Sequence, residues 1–563
     1  MKKTCGSCSA GFEVTDEDLV FLDSLSPVFN DTKIPIPPPT LCPDCRQQRR
    51  LCQGNEFTLY TGTCDKCSKN VITQFAPGYP APVWCRDCWL SDDWNPLDFG
   101  LELDLNRSIL DQFMELRSKV PTQCLDIDGE NQNCDYIHYA GFSKNCYIIM
   151  HADFCEDCLY GYGFKKNTSC VDGFYNLHCE LCYDCIDIYK CYALKGCQEC
   201  NNCNSSAFLR DCIGCTDCFC CTGLREKKYC FENEQLSKEE YGKKMQEIDL
   251  GSYFQYQKWK IRRAELEKSH TFKEYTGHNL EQCLGDHLTN CKECVQCFDC
   301  EDGETLKYCS QLVLGAKNCM DIYQYGTGLQ QSYDCAIAGD NSYHILFSVQ
   351  IFSSGLDNYY SYFLESCKSM FACTQVRSGR NCILNKQYTE EEWNELVPKI
   401  IERMRQDGQW GELFPITFSQ FGYNETTAQM YYPLSKEGAL AKGYKWCDYV
   451  QPDPPNTKII EASQLPDNIN DIPEDVLNWA IRCEKTGKLF KLTSQEFKFY
   501  KEQGIPVPRR NWYQRHLDRF HLRNPRKFWD RTCAKCQKAI QTSYAPNRPE
   551  IVYCEQCYLS EVY

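Results

Sequence analysis

Six Cys-x-x-Cys pairs carry the most legible chemistry in this 563-residue chain. Near the start, Cys5 and Cys8 are followed, after a helix signal, by Cys42 and Cys45. Cys64 and Cys67 are then followed by Cys85 and Cys88, with eighteen residues from Cys67 to Cys85. Near the end, Cys533, Cys536, Cys554 and Cys557 repeat the second of these groups at a constant offset of 469. Two such pairs around a short hairpin offer four soft thiolates in a tetrahedron, the set that structural Zn²⁺ takes. Sulfur fills all four positions, so the metal is expected to hold structure rather than catalyse. Redox chemistry is not expected, since no thioredoxin-like βαβ pattern surrounds the pairs. About three Zn²⁺ sites follow, not four. At the same offset Cys42 and Cys45 align with Asn511 and Gln514. After a nine-residue deletion Cys5 and Cys8 align with Cys483 and Thr486.

A second chemistry is suggested by residues 505–535, where nine Lys/Arg stand against two acids and Trp512, Tyr513, Phe520, Phe528 and Trp529 are interleaved. Cations that hold phosphates beside rings that stack on bases suit single-stranded nucleic acid. The candidates are Arg509, Arg510, Arg515, Arg519, Arg526, Lys527, Trp512 and Tyr513, with a weaker copy in Arg46, Arg49 and Arg50. The competing reading turns these charges toward an acidic solenoid in the same molecule. A net charge of −16 excludes a protein that coats nucleic acid over its whole surface. The nine histidines form no HExxH or other ligand spacing, and no GxSxG, P-loop or GxGxxG lies between strand and helix. No catalytic residue is assigned, and a solenoid-borne enzyme would rest on fold analogy alone.

A long middle separates these sites. Read every third residue from Cys134 to Cys230, and seventeen of thirty-three positions are cysteine; the rest are small or apolar apart from Lys227, and only Cys220 falls out of phase. A helix repeats at 3.6 and an ordinary strand at 2. A period of 3 suits a narrow β-solenoid of twelve-residue coils with four inward positions each. It resembles the coil of insect antifreeze β-solenoids, without their outward Thr ladder. The interior cysteines read as small apolar filler, with metal ligation and disulfide ladders as the alternatives. Outward Tyr136, Tyr147, Tyr160, Tyr162, Phe174 and Tyr183 are expected to pack on another part of the chain or to meet a partner. Residues 221–241 recur at 373–393, and each copy ends in a capping box, Ser237/Glu240 and Thr389/Glu392. The second solenoid opens with Cys291, Cys294, Cys297 and Cys300 and then loses phase; residues 343–351 alternate as an ordinary strand does.

The chain therefore reads as mainly β: two Cys-rich β-solenoid segments with capping helices, flanked by N- and C-terminal zinc-ribbon or treble-clef modules. The divisions are a tandem zinc-ribbon module (1–92), a linker with a short helix (93–133), solenoid A (134–233), a helical spacer (234–274), solenoid B (275–386), a capping helix (387–408), an irregular segment with a Pro-rich linker (409–475) and a C-terminal zinc-ribbon module with a degenerate first site (476–563). The N-terminus has no apolar stretch after its lysines, and no run approaches eighteen apolar residues, so a cytoplasmic address without a membrane is expected. There thiols stay reduced or bind metal.

The strings Cys42-Pro-Asp-Cys45-Arg46, Val83-Trp-Cys85-Arg-Asp-Cys88-Trp89, Asn385-Lys-Gln-Tyr388 and Phe421-Gly-Tyr-Asn424 resemble those of bacterial zinc-ribbon proteins with a Cys-rich central region, found in uncultured lineages. The terminal modules resemble the zinc-ribbon (treble-clef-like) domain. The resemblance implies metal binding at the matched cysteines and nothing about catalysis. The expected function is a zinc-binding, non-catalytic scaffold for another macromolecule, a protein or a nucleic acid, and no small-molecule substrate is identified. The alternatives are RNA or single-stranded DNA binding through residues 505–535, thiol-based metal storage, and an enzyme.

Overall fold

Between residues 133 and 232 every third residue has a positive φ, near 50–70°. A side chain in this left-handed region costs on the order of 1 kcal/mol, least for Gly, Asn and Asp and most for β-branched types. Of these corner positions four are Gly, and Ile148 alone is β-branched. Each corner turns the chain, the next residue points inward, and the third lies on an outer face. Four such sides make a twelve-residue coil, with parallel registers such as Val171↔Tyr183 and Gly173↔Cys185. This is the computed structural model of the chain; it describes residues 1–310, 316–317, 319–323, 327–336, 339, 341–453 and 458–562. Part of the second solenoid and part of the Pro-rich stretch 451–456 lie outside the described residues.

The inward residues of the first solenoid form one core of cysteine, Ile, Leu, Ala and Phe164. Its thiols donate to carbonyls of their own and the next coil, as Cys158 does to Glu156 O (3.3 Å) and Asn167 O (3.5 Å). A thiol is thus small enough for the bore and polar enough for its carbonyl-lined wall. Lys227, the charged inward position, is exposed in the last coil. Cys220 is a corner residue that faces outward and is nevertheless fully buried. Phe164 is the one large ring inside, and the space comes from Gly161 and Gly173: a Cβ on either would stand 2.4–2.5 Å from its ring. Gly173→Ala should therefore destabilise the protein by about 1–3 kcal/mol through overpacking. A denaturant midpoint equal to that of the unsubstituted chain would refute this.

The second solenoid loses its phase because its coils change length. Pairings step by eleven at the start (Gly277↔Leu288), by thirteen from Lys307↔Met320 to Val349↔Tyr362, and by twelve again from Leu356↔Lys368. Residues 343–351 are accordingly not one ordinary strand. Phe347, with φ of 53°, is a corner, and it splits them into Tyr343–Leu346 and Val349–Phe352. Tyr343, Ile345, Phe347, Val349 and Ile351 alternate only because apolar residues happen to stand at outward, inward and corner positions in turn.

Both solenoids end in the same way. Asn233 pairs with the backbone of Thr222 (2.8 and 2.9 Å), and Asn385 with that of Thr374 (2.8 and 2.9 Å), each side chain standing in for the strand that is missing. The capping boxes at Ser237/Glu240 and Thr389/Glu392 then start Lys238–Gln246 and Glu390–Gln406. The helical spacer is two helices rather than one. It breaks at Asp249-Leu250-Gly251, and Ser252 caps a second helix, Tyr253–Glu267. Among the described residues no helix is long and apolar enough to cross a membrane.

The chain forms two compact units, each drawn from both ends of the sequence. One comprises Met1–Leu125 with Tyr275–Tyr449, the other Asp126–Glu274 with Val450–Tyr563. The N-terminal cysteine module therefore belongs with the second solenoid and the C-terminal module with the first.

Candidate metal centres and the arginine clamp

Three groups of four cysteines converge: Cys5/Cys8/Cys42/Cys45, Cys64/Cys67/Cys85/Cys88 and Cys533/Cys536/Cys554/Cys557, with all ligand atoms of a group within 4.8 Å of one another. In each, a hairpin presents the first pair. Cys5 N–H bonds Ala10 O and Ser9 N–H bonds Cys5 O, closing a tight knuckle that puts Ser9 at φ 61°. Cys64/Ser68 and Cys533/Gln537 repeat the knuckle. The second pair sits at a helix start: Cys42 caps Pro43–Leu51, Cys85 caps Arg86–Leu90, and Cys554 precedes Glu555–Val562.

The sulfurs Cys8–Cys42, Cys67–Cys85 and Cys536–Cys554 are each 3.7 Å apart. A metal–sulfur bond of ≈ 2.3 Å gives a tetrahedron edge of about 3.8 Å, whereas a disulfide would bring sulfurs to about 2.05 Å. The donor set and its spacing therefore fit a tetrahedral soft cation. Burial pushes the Cys5, Cys64 and Cys533 thiols up, but N–H groups of the knuckle and of the next pair aim at each sulfur and bring it down to about 6. Desolvation and neighbouring sulfurs push Cys88 and Cys557 up to about 12. A bound cation is what lets all four ionise together. Among the described residues the solenoid thiols form no such group.

Protein-family models, curated proteins and solved structures give no match to the chain.

The fourth knuckle keeps its shape without its ligands. Cys483 N–H bonds Lys488 O, and Gly487 (φ 71°) takes the Ser9 position. Asn511 donates to Thr486 Oγ1 (3.0 Å) and caps Trp512–Phe520 through Gln514 N–H (2.9 Å). A side-chain hydrogen bond thus spans the gap a metal would fill. Restoring the ligands with Thr486→Cys, Asn511→Cys and Gln514→Cys should raise the metal content from three to four per chain, read by elemental analysis. A count left at three would show that the knuckle has lost the shape of a site.

Each unit then ties a module helix to its solenoid by buried ion pairs that the sequence reading did not assemble. In the first unit Pro43–Leu51 buries Arg46 on Asp321 and Arg49 on Asp334. Arg50 bridges both carboxylates, at 2.7 Å from Asp334 and 3.4 Å from Asp321. In the second, Trp512–Phe520 buries Arg515 on Asp172 (2.8 Å), and Arg519 bridges Asp172 (3.1 Å) and Asp184 (3.5 Å). All four aspartates are left-handed corners stacked on successive coils. Arg515 also lies over Tyr160 (4.8 Å) and Arg46 over Tyr308 (5.7 Å). Arg46 and Arg50 precede Arg515 and Arg519 by the same 469 residues as the metal ligands. That offset, together with aspartates twelve or thirteen apart, was the signal available in the sequence.

The candidate nucleic-acid residues are accordingly not gathered on one open face. Arg509, Arg515 and Arg519 are buried, and Arg510 pairs with Glu484 and Asp518 (2.7 Å each). Arg526, Trp512 and Tyr513 are half-buried, and exposed Lys527 lies over Trp529 (5.5 Å). The outward aromatics are covered within the unit: His516 stacks on Phe174 (5.3 Å) and meets Tyr162 edge-on (5.5 Å), while Tyr500 and Tyr256 pack on Tyr183. Tyr136 and Tyr147 remain half-buried.

Proposed function

We propose that the chain is a zinc-stabilised, non-catalytic β-solenoid scaffold of a reducing, cytoplasmic compartment, and that it presents its first solenoid to another macromolecule. The observation that carries this reading is the closure of all three four-cysteine groups, each rooted in a hairpin and a helix start. Such a site has no position left for a substrate, so the metal's work is to fix the module. We read the cation as Zn²⁺ and the modules as zinc ribbons of the treble-clef kind, because four thiolates at a tetrahedron's corners suit that ion. The unpaired state of the cysteines suits reducing conditions. The partner surface in this reading is the outer face that carries Phe142 and Phe154, 52% and 55% exposed and stacked 5.0 Å apart at 9°. A rigid apolar pair standing in water is costly unless something covers it.

Elemental analysis tests the first half: three zincs per chain are expected, and ten or more would replace the scaffold with metal storage. For the second half, Phe142→Ser with Phe154→Ser should keep the metals and the fold but lose a partner that co-purifies with the unsubstituted chain. Equal recovery of that partner would move the contact elsewhere.

A further inference from the structure

The two clamps differ in their charges: at the offset of 469, Thr40 and Arg49 of the first become Arg509 and Asp518 of the second. In the first unit Thr40, two residues before the helix cap Cys42, gives its hydroxyl (2.6 Å) and N–H to Glu412 Oε1, and Glu412 Oε2 accepts from Arg49 (2.9 Å). A carboxylate of the chain itself therefore lies against the clamp helix. In the second unit the residue two before the cap Asn511 is Arg509. Only 7% of Arg509 is exposed, and its guanidinium lies over the rings of Tyr253 (4.2 Å) and Phe254 (4.9 Å). Among the described residues no carboxylate pairs with it, although Arg510, Arg515 and Arg519 beside it are all paired.

A cavity of about 70 Å³ opens at this place, within the second unit. Its lining holds five cations, Arg509, Arg510, Arg515, Arg519 and Lys260, against three carboxylates. Two buried donors of the lining, the Tyr256 hydroxyl and Arg519 Nε, have no partner.

We propose that this cavity binds a small tetrahedral oxyanion, a phosphate or the terminal phosphoryl group of a larger molecule, with Arg509 as its principal cation. The anion meets Arg509 where Glu412 meets Thr40 in the first unit. Aromatic rings hold the guanidinium by its face, which leaves its in-plane N–H groups for a bidentate contact with two oxygens. The volume corresponds to about five water-sized positions, enough for an oxyanion and too little for a nucleoside. Low-dielectric walls strengthen the pairing of an uncompensated charge with an anion. Of the arginines that the sequence offered to a nucleic-acid backbone, Arg510, Arg515 and Arg519 answer carboxylates of the same unit, and what remains at Arg509 is a single-group site.

The test is titration of the full, metal-loaded chain with inorganic phosphate at constant ionic strength, read by calorimetry and by thermal shift against chloride. One saturable site per chain is expected, weakened about tenfold or more by Arg509→Gln, since a charge-assisted contact is removed. Arg509→Lys keeps the charge without the fork and should weaken it less, which preserves the test if the Gln variant folds poorly. Phosphate that acts no differently from chloride, or that binds both variants as it binds the unsubstituted chain, would overturn the proposal. A 5′-phosphorylated oligonucleotide preferred about tenfold over its 5′-hydroxyl form would name a nucleic-acid end as the source. Equal affinity for the two oligonucleotides, with phosphate binding retained, would name a free oxyanion.

Discussion

Chelation at neutral pH, or the single change Cys45→Ser, is expected to unfold the N-terminal module rather than trim its stability. A structural zinc in a small module contributes apparent binding free energy of about 10–16 kcal/mol, while a whole domain is stable by only about 5–15 kcal/mol. The module has little else. Between the knuckle at Cys5 and the helix Pro43–Leu51 lie a short helix, Asp16–Ser24, and a two-residue hairpin, Val28–Phe29 with Thr32–Lys33. The effect should also reach beyond the ligands. Cys42 caps the helix that carries Arg46, Arg49 and Arg50, and the metal is what anchors the start of that helix over Asp321 and Asp334. Cys45→Ser should therefore lower the metal count from three to two and open residues 1–51 to protease. A variant that loses the metal but keeps native protease resistance would show that the clamp holds the module by itself.

How much of this the sequence disclosed depends on the range of each signal. The four-cysteine groups were legible because the knuckle is local: Cys-x-x-Cys fixes both the turn and the donor pair within four residues. The solenoid was legible because a period of three persists over a hundred residues and no helix or flat strand shares it. Its corners were equally legible in principle, since one position in three almost never holds a β-branched residue, yet the eye goes to cysteine first. Coil length in the second solenoid was not legible. One inserted residue per coil leaves composition unchanged and shifts every inward position, and in residues 343–351 apolar side chains at outward, inward and corner positions happened to alternate as in a plain strand. The clamp was legible only in outline, as basic residues turned toward an acidic solenoid, and its individual pairs were not. Asp172 and Arg515 are 343 residues apart and Arg50 and Asp334 are 284 apart, and an unpaired reading of either partner gives only a solvated charge. Basic residues beside aromatic ones suggested phosphate and bases, but most of them answer carboxylates of the same unit.

Asp334→Asn should cost the first unit about 3–5 kcal/mol, because it removes a carboxylate that buried Arg49 and Arg50 share and leaves Arg50 only its longer contact to Asp321 (3.4 Å). The matching change in the second unit, Asp172→Asn, strips Arg515 and Arg519 of a shared partner and should cost as much. Intact, the ion pairs contribute far less than this, since desolvation offsets most of the attraction. Replacing Arg50 and Asp334 together by Met and Leu should therefore be milder than either single change. Acid gives the same result without mutagenesis. Burial pushes the Asp334 carboxyl up, but Arg49, Arg50 and Arg46 hold it below the usual carboxylate range; Lys260 and Arg519 do the same for Asp184 against its burial. A carboxylate depressed in the folded state gives its full stability above the unfolded value of about 3.9 and loses it as pH falls toward the folded value. Both units should thus weaken below about pH 4, and Asp334→Asn should flatten that dependence for the first unit. Urea midpoints measured from pH 6 to pH 3 decide the matter. A slope unchanged by the substitution would mean that Asp334 is neutral in the folded protein and that Arg49 and Arg50 find their counter-charge elsewhere.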